Sequence, residues 1–193
     1  MMNLEKTVSD YTGVKNVVFT GSGTNALICS IKAMELPLGS EIIIPSYVCF
    51  SVPMAVHLSG LRPVMSDVLI EDYTIDPESV KALITKKTSA IIVVHTFGNT
   101  CKIKKIKEIA DSYNLPIIED FCHSFNGLYN GKKHGSFGKI SVTSFSSRKL
   151  FSSEGGAVIT DDEKIYSNAK LVVSKWKEKD KSLDLENIRS NLE

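Results

Sequence analysis

Net charge, long apolar runs and paired cysteines are all scarce in this chain. Among 193 residues, 23 Lys and Arg face 22 Asp and Glu, a formal net charge of +1, so there is no electrostatic footprint for nucleic acid or an anionic membrane surface. The longest apolar stretches, such as Ile91-Ile92-Val93-Val94, fall far short of the roughly 20 residues a membrane helix requires. Four cysteines, Cys29, Cys49, Cys101 and Cys122, lack CxxC spacing, and no basic, apolar leader precedes the first strand-like segment; together these predict a reduced, cytoplasmic setting rather than a disulfide framework. Motifs for several chemistries are missing as well. No Gly-Lys-Ser/Thr ending marks a P-loop, no GxGxxG marks a dinucleotide fold, no GxSxG marks a serine elbow and no His/Cys/Asp spacing marks a metal. Cys122 and His123, being adjacent on the chain, do not form a thiol-protease arrangement. A small molecule or a protein remains as the natural partner.

What the chain does have is alternation. Short β-branched runs (Asn16–Phe19, Glu41–Ile44, Arg62–Met65, Ser89–Val94, Pro116–Ile118, Ile140–Phe145 and Ala157–Ile159) alternate with helix-compatible stretches at 23–35, 48–59, 77–85, 103–114 and 161–175. Runs apolar on both faces suit strands covered by helices on both sides, so the pattern predicts an α/β fold with a mostly parallel sheet. Asp76-Pro77 and Asp161-Asp162 stand where helix N-termini favour them, and Pro37 and Gly39 follow the first helix. The length fits one domain or at most two. The boundary expected is a domain over 1–173 and a charged tail over 174–193, beginning at Ser174 and running through Lys175-Trp-Lys-Glu-Lys-Asp-Lys-Ser182.

Five places could carry chemistry, and each has a plain structural alternative. Gly21-Ser22-Gly23-Thr24-Asn25-Ala26 follows a strand and opens a helix, which suits either an anion held at a positive helix end or merely a tight turn. Asp120 ends the run Pro116-Ile-Ile-Glu-Asp at the carboxyl edge of a parallel strand, the usual ligand side of an α/β sheet; a helix cap or an ion pair would also explain Glu119-Asp120. Ser144 is an anion ligand or a strand-end hydroxyl bonded to backbone. His123 and His95 are cofactor contacts or satisfied buried histidines. Lys149 stands in a hydroxyl-rich segment between a strand and Glu154-Gly155-Gly156; desolvation there would lower its pKa and free its amine to attack a carbonyl, whereas most lysines are solvated surface charges.

The order of these motifs resembles a known family. Ser22-Gly-Thr-Asn-Ala-Leu27, Ile44-Pro-Ser-Tyr47, Gly60-Leu-Arg-Pro63 through Asp67, His95-Thr-Phe-Gly98, Glu119-Asp120-Phe-Cys-His123, Ser144 through Lys149 and Glu154-Gly-Gly-Ala-Val-Ile-Thr160 are together similar to the DegT-type, sugar-nucleotide aminotransferases, pyridoxal-phosphate enzymes of fold type I. The resemblance covers residues 5 to 173. It implies that Lys149 is the lysine that bonds to the cofactor and shuttles protons, Asp120 the partner of the pyridinium nitrogen, Gly23, Thr24 and Ser144 the phosphate cup, and His123 a contact near the ring oxygen. The implied reaction moves an amino group from an amino acid, typically glutamate, to a keto sugar carried on a nucleotide. Relatives that act as sugar dehydratases replace the lysine, so Lys149 points to transamination.

Two departures from that family shape the expectation. Cys49 stands where an aromatic ring usually stacks on the cofactor, with Tyr47 and Phe50 nearby, and leaves the stacking residue unassigned. Family members are about twice this length, in keeping with roughly 100 to 200 residues per domain, so a leading segment and the C-terminal small domain are expected to be absent. The chain then reads as the large domain of such an enzyme, either a fragment or one half of a split enzyme completed by a homodimer mate or a second half. The alternative is a catalytically silent remnant that binds pyridoxal phosphate or serves as an interaction module.

Overall fold

The computed structural model describes residues 4–146 and 155–190, with side chains described up to 176. Seven strands form one sheet in the order β1 (Asn16–Thr20), β9 (Gly156–Thr160), β8 (Ile140–Ser144), β5 (Ile117–Asp120), β4 (Thr88–Val94), β2 (Glu41–Pro45), β3 (Arg62–Ser66). Pairing is parallel from β8 through β3, and β9 runs antiparallel to both of its neighbours. The expected mostly parallel sheet is therefore present, with one reversed strand that β-branched composition does not distinguish. A two-stranded hairpin, β6 (Leu128–Tyr129) and β7 (Lys132–Lys133), stands apart from the sheet.

Strand residues alternate between two cores, as the period of two demands. Ile42, Ile44, Ala90, Ile92 and Val94 pack toward α2 (Gly23–Ala33), α3 (Ser51–Leu58) and α6 (Glu163–Ser190). Ile43, Ile91 and Val93 pack the other way, toward α4 (Pro77–Leu83) and α5 (Ile103–Ser112). In α5 the buried Ile103, Ile106 and Ala110 fall on one stripe, a spacing of three and four that puts the lysines between them in water. Caps act as the sequence predicts: Asp76 accepts from the Glu78 amide at 3.0 Å, and Asp162 from the Lys164 and Ile165 amides at 2.9 and 3.0 Å.

Two helices differ from expectation. α1 (Leu4–Thr12) was not foreseen, because its sequence LEKTVSDYT buries little besides Val8 and Thr12. The last helix begins at Glu163 and continues to Ser190 rather than stopping at 175; Lys, Glu and Leu are good helix formers, so the charged stretch after Ser174 extends the helix instead of ending it.

Candidate functional site

The carboxyl ends of β5 and β8 and the amino end of α2 open onto one cavity of about 930 Å³, the place where an α/β sheet presents ligands. Ser22 is the N-cap of α2, its Oγ accepting from the Asn25 amide at 3.1 Å, and Gly23 and Thr24 follow in the first turn. The turn lies tight against the sheet. A Cβ on Gly23 would meet Ser144 Cβ at 2.8 Å, and one on Gly156 would meet the Ser22 carbonyl oxygen at 2.5 Å, so both positions demand glycine and together press the helix end onto the ends of β8 and β9. Ser22, Gly23, Thr24 and Ser144 all line the cavity. Among the described residues the lining contains no lysine or arginine, which leaves amides, hydroxyls and the positive end of an 11-residue helix to favour an anion there.

Asp120 ends β5 and lines the same cavity. It is 4% exposed, and Oδ1 accepts from the Cys122 amide at 3.0 Å. Its strand neighbour Glu119 points through the sheet to the other side. The Glu119 carboxylate is fully buried and accepts from His95 Nε2 at 3.1 Å, from the amides of Gly135, Phe137 and Gly138 at 2.6, 2.7 and 2.9 Å, and from Ser141 Oγ at 3.2 Å. Burial would by itself raise the Glu119 pKa, but the hydrogen bond from His95 and the amides of Gly135 and Phe137 outweigh it and hold the carboxyl below its ordinary value.

His123 lines the cavity beside Phe97. The rings are 5.8 Å apart and within 5° of parallel, and the Phe97 amide donates to His123 Nδ1 at 3.4 Å. Phe97 holds a left-handed backbone with φ 54° and ψ 23°. That conformation is costly for a bulky residue, and such strain gathers where a structure fixes a working geometry. His95 is the satisfied buried histidine of the plainer alternative: it is wholly enclosed, bonded to Glu119 and stacked at 3.9 Å on the ring of His134. Tyr47 and Cys49 also line the cavity, while Phe50 is 76% exposed and does not.

Lys149 lies outside the described residues. The segment bearing it leaves from Ser146 and returns at Gly155, and both of those residues line the cavity. Gly23, Thr24, Asp120, His123 and Ser144 thus line one cavity. The plainer role of Ser144 is present too, since its Oγ accepts from the Ser146 amide at 3.3 Å. Missed in the sequence were Phe97, Thr96 and Cys122 as cavity walls. The signal was available: Thr96 and Phe97 follow the carboxyl end of β4, and Cys122 that of β5, on the edge where ligands bind.

The model of the DegT/DnrJ/EryC1/StrS aminotransferase family matches residues 1–186. The chain belongs to this family. Family relatives agree in sequence and in shape. A GDP-perosamine synthase of Caulobacter vibrioides is 34% identical over 173 residues, which are 89% of this chain and 47% of that protein. An aminotransferase from Psychrobacter cryohalolentis superposes with a TM-score of 0.83 at 33% identity, over 86% of this chain and 42% of that one. NtdA from Bacillus subtilis, solved with bound cofactor PMP, superposes with a TM-score of 0.80 at 31% identity, over 86% and 38% respectively. The fold is that of the fold type I aminotransferases, which depend on pyridoxal phosphate. The chain spans less than half the length of these relatives. Among the described residues no helix is long and apolar enough to cross a membrane.

Proposed function

We propose that this chain is the cofactor-binding half of a sugar-nucleotide aminotransferase that moves an amino group from glutamate to a keto sugar on a nucleotide, leaving 2-oxoglutarate and the amino sugar. The observation that carries the reading is that Asp120, the amino end of α2 and Ser144 all open into one cavity. Their chemistry fits pyridoxal phosphate end to end. The amides at Gly23 and Thr24 and the hydroxyls of Thr24 and Ser144 would hold its phosphate, a carboxylate at Asp120 would keep its ring nitrogen protonated, and His123 would stand at its ring oxygen. When bound, the cofactor supplies an electrophilic carbonyl and a ring that draws electron density from a substrate carbon. Lys149, tethered between Ser146 and Gly155, would supply the amine that bonds to the cofactor and carries protons to and from the reacting carbon. A homodimer mate or a second half would complete the substrate side, and the cytoplasm suits the nucleotide sugar.

Adding pyridoxal phosphate to the purified chain is expected to produce a visible absorption band that Lys149→Ala abolishes. Glutamate added alone is then expected to bleach the band and release one equivalent of 2-oxoglutarate. A band that glutamate leaves unchanged would identify a silent binding remnant, and no band at all would sink the cofactor reading.

A further inference from the structure

Three hydrogen bonds fix His95 beside the site. Its backbone amide donates to the Asp120 carbonyl at 3.1 Å, so the carboxyl ends of β4 and β5 are pinned together at the residue that faces the cavity. Its Nδ1 accepts from the Cys101 amide at 3.2 Å, which closes the loop over 96–101. Its Nε2 meets Glu119 Oε1 at 3.1 Å. A backbone N–H can only donate, so Nδ1 carries no proton, and the neutral ring keeps its proton on Nε2 to donate to the carboxylate. The loop that His95 closes contains Phe97, whose amide in turn donates to His123 Nδ1. By the same reasoning the proton of a neutral His123 stands on Nε2.

We propose that His95 is a positioning residue for the cofactor: by closing the 96–101 loop on its Nδ1 it sets where the Phe97–His123 pair stands relative to Asp120, and so which nitrogen of His123 carries the proton. The bond to Glu119 serves a different end, satisfying a buried carboxylate. The two nitrogens of His95 therefore separate cofactor placement from stability, and this deepening of the site rests on the cofactor reading above.

Two substitutions divide these roles. His95→Asn keeps an acceptor near Nδ1 and loses the donor to Glu119, whereas His95→Gln keeps a donor near Nε2 and loses the acceptor for Cys101. The Asn variant is expected to show the larger fall in thermal midpoint but to bind pyridoxal phosphate with nearly native affinity. The Gln variant is expected to bind it about tenfold more weakly, the effect of one lost well-placed hydrogen bond, and in the cofactor-free protein its His123 nitrogen-15 signals are expected to shift from the Nε2–H form toward a mixture. Equal loss of affinity in both variants, in step with their stability, would make His95 merely structural. If neither variant folds, the cofactor-free wild type decides. His123 protonated on Nε2 with a protected Phe97 amide supports the assignment, and His123 protonated on Nδ1 or a freely exchanging Phe97 amide overturns it. A wild type that forms no band with pyridoxal phosphate would fail the cofactor reading, while these two signals would still judge the placement of His123.

Discussion

Glu119 and Asp120 are chain neighbours of the same chemical class on the same strand, and the sheet sends them to opposite faces with opposite fates. Glu119 accepts five hydrogen bonds and is fully enclosed. Asp120 accepts, among the described residues, one from the Cys122 amide and faces the cavity. A carboxylate surrounded by donors is a structural part, since nothing is left over for a ligand. One at a cavity edge with acceptor capacity to spare is available for chemistry. The difference shows that burial does not separate the two roles, for both are nearly inaccessible; what separates them is how many donors the protein itself supplies.

The largest expected effect breaks the Glu119 side. Glu119→Ala strands one buried and two part-buried amides and a histidine N–H, and is expected to cost about 3 to 5 kcal/mol of stability by urea unfolding, with aggregation on expression as the extreme outcome. Asp120→Asn is expected to do the reverse: an unfolding midpoint close to wild type, with glutamate-driven bleaching slowed on the order of 10²- to 10³-fold, the scale of one lost oriented electrostatic contact. If Asp120→Asn instead unfolds the chain while Glu119→Ala does not, the assignment of roles is reversed.

Acid sharpens the same comparison. His134, which stacks on His95, has its pKa pushed down from 6.5 to about 4, first by burial and then by His95. The unfolded chain therefore binds this proton at a higher pH than the folded one, so the contribution to stability is present above about 6.5 and lost as pH falls toward about 4. It amounts to up to about 3 kcal/mol. The lowered Glu119 carboxyl acts in the same direction at still lower pH. Urea unfolding at pH 7 and pH 4 should show this loss, and His134→Gln should flatten it. On the Asp120 side, Gly23→Ala pushes a methyl to 2.8 Å from Ser144 Cβ. It is expected to cost about 1 to 3 kcal/mol, read mainly as weaker binding of pyridoxal phosphate because the strain falls on the proposed phosphate cup.

The two carboxylates also mark where sequence reading succeeds and where it stops. The cavity positions of Asp120 and Gly23 were legible because a short apolar strand delivers its last residue, and a strand-to-helix turn its glycine, to the ligand edge of the sheet. The role of Glu119 was not, since its donors come from His95, Gly135, Phe137, Gly138 and Ser141, brought together only by the pairing of β4 with β5 and β5 with β8. The reversed direction of β9 is likewise invisible in Ala157-Val158-Ile159, which would suit either orientation. The β6–β7 hairpin was a different kind of miss. Asn130 and Gly131, with φ 50° and 77°, are a strong two-residue turn signal between strands too short to show alternation.

The pairing of Ser144 with Gly156 across β8 and β9 has a kinetic consequence. Five residues of chain separate Lys149 from Ser144, a contour of about 18 Å at full extension. A reactive group tethered so closely acts on a bound partner at an effective concentration in the millimolar range or above. On the proposed function, capture of the bound cofactor by its amine would be a first-order event within one molecule, whose rate should not vary with protein concentration.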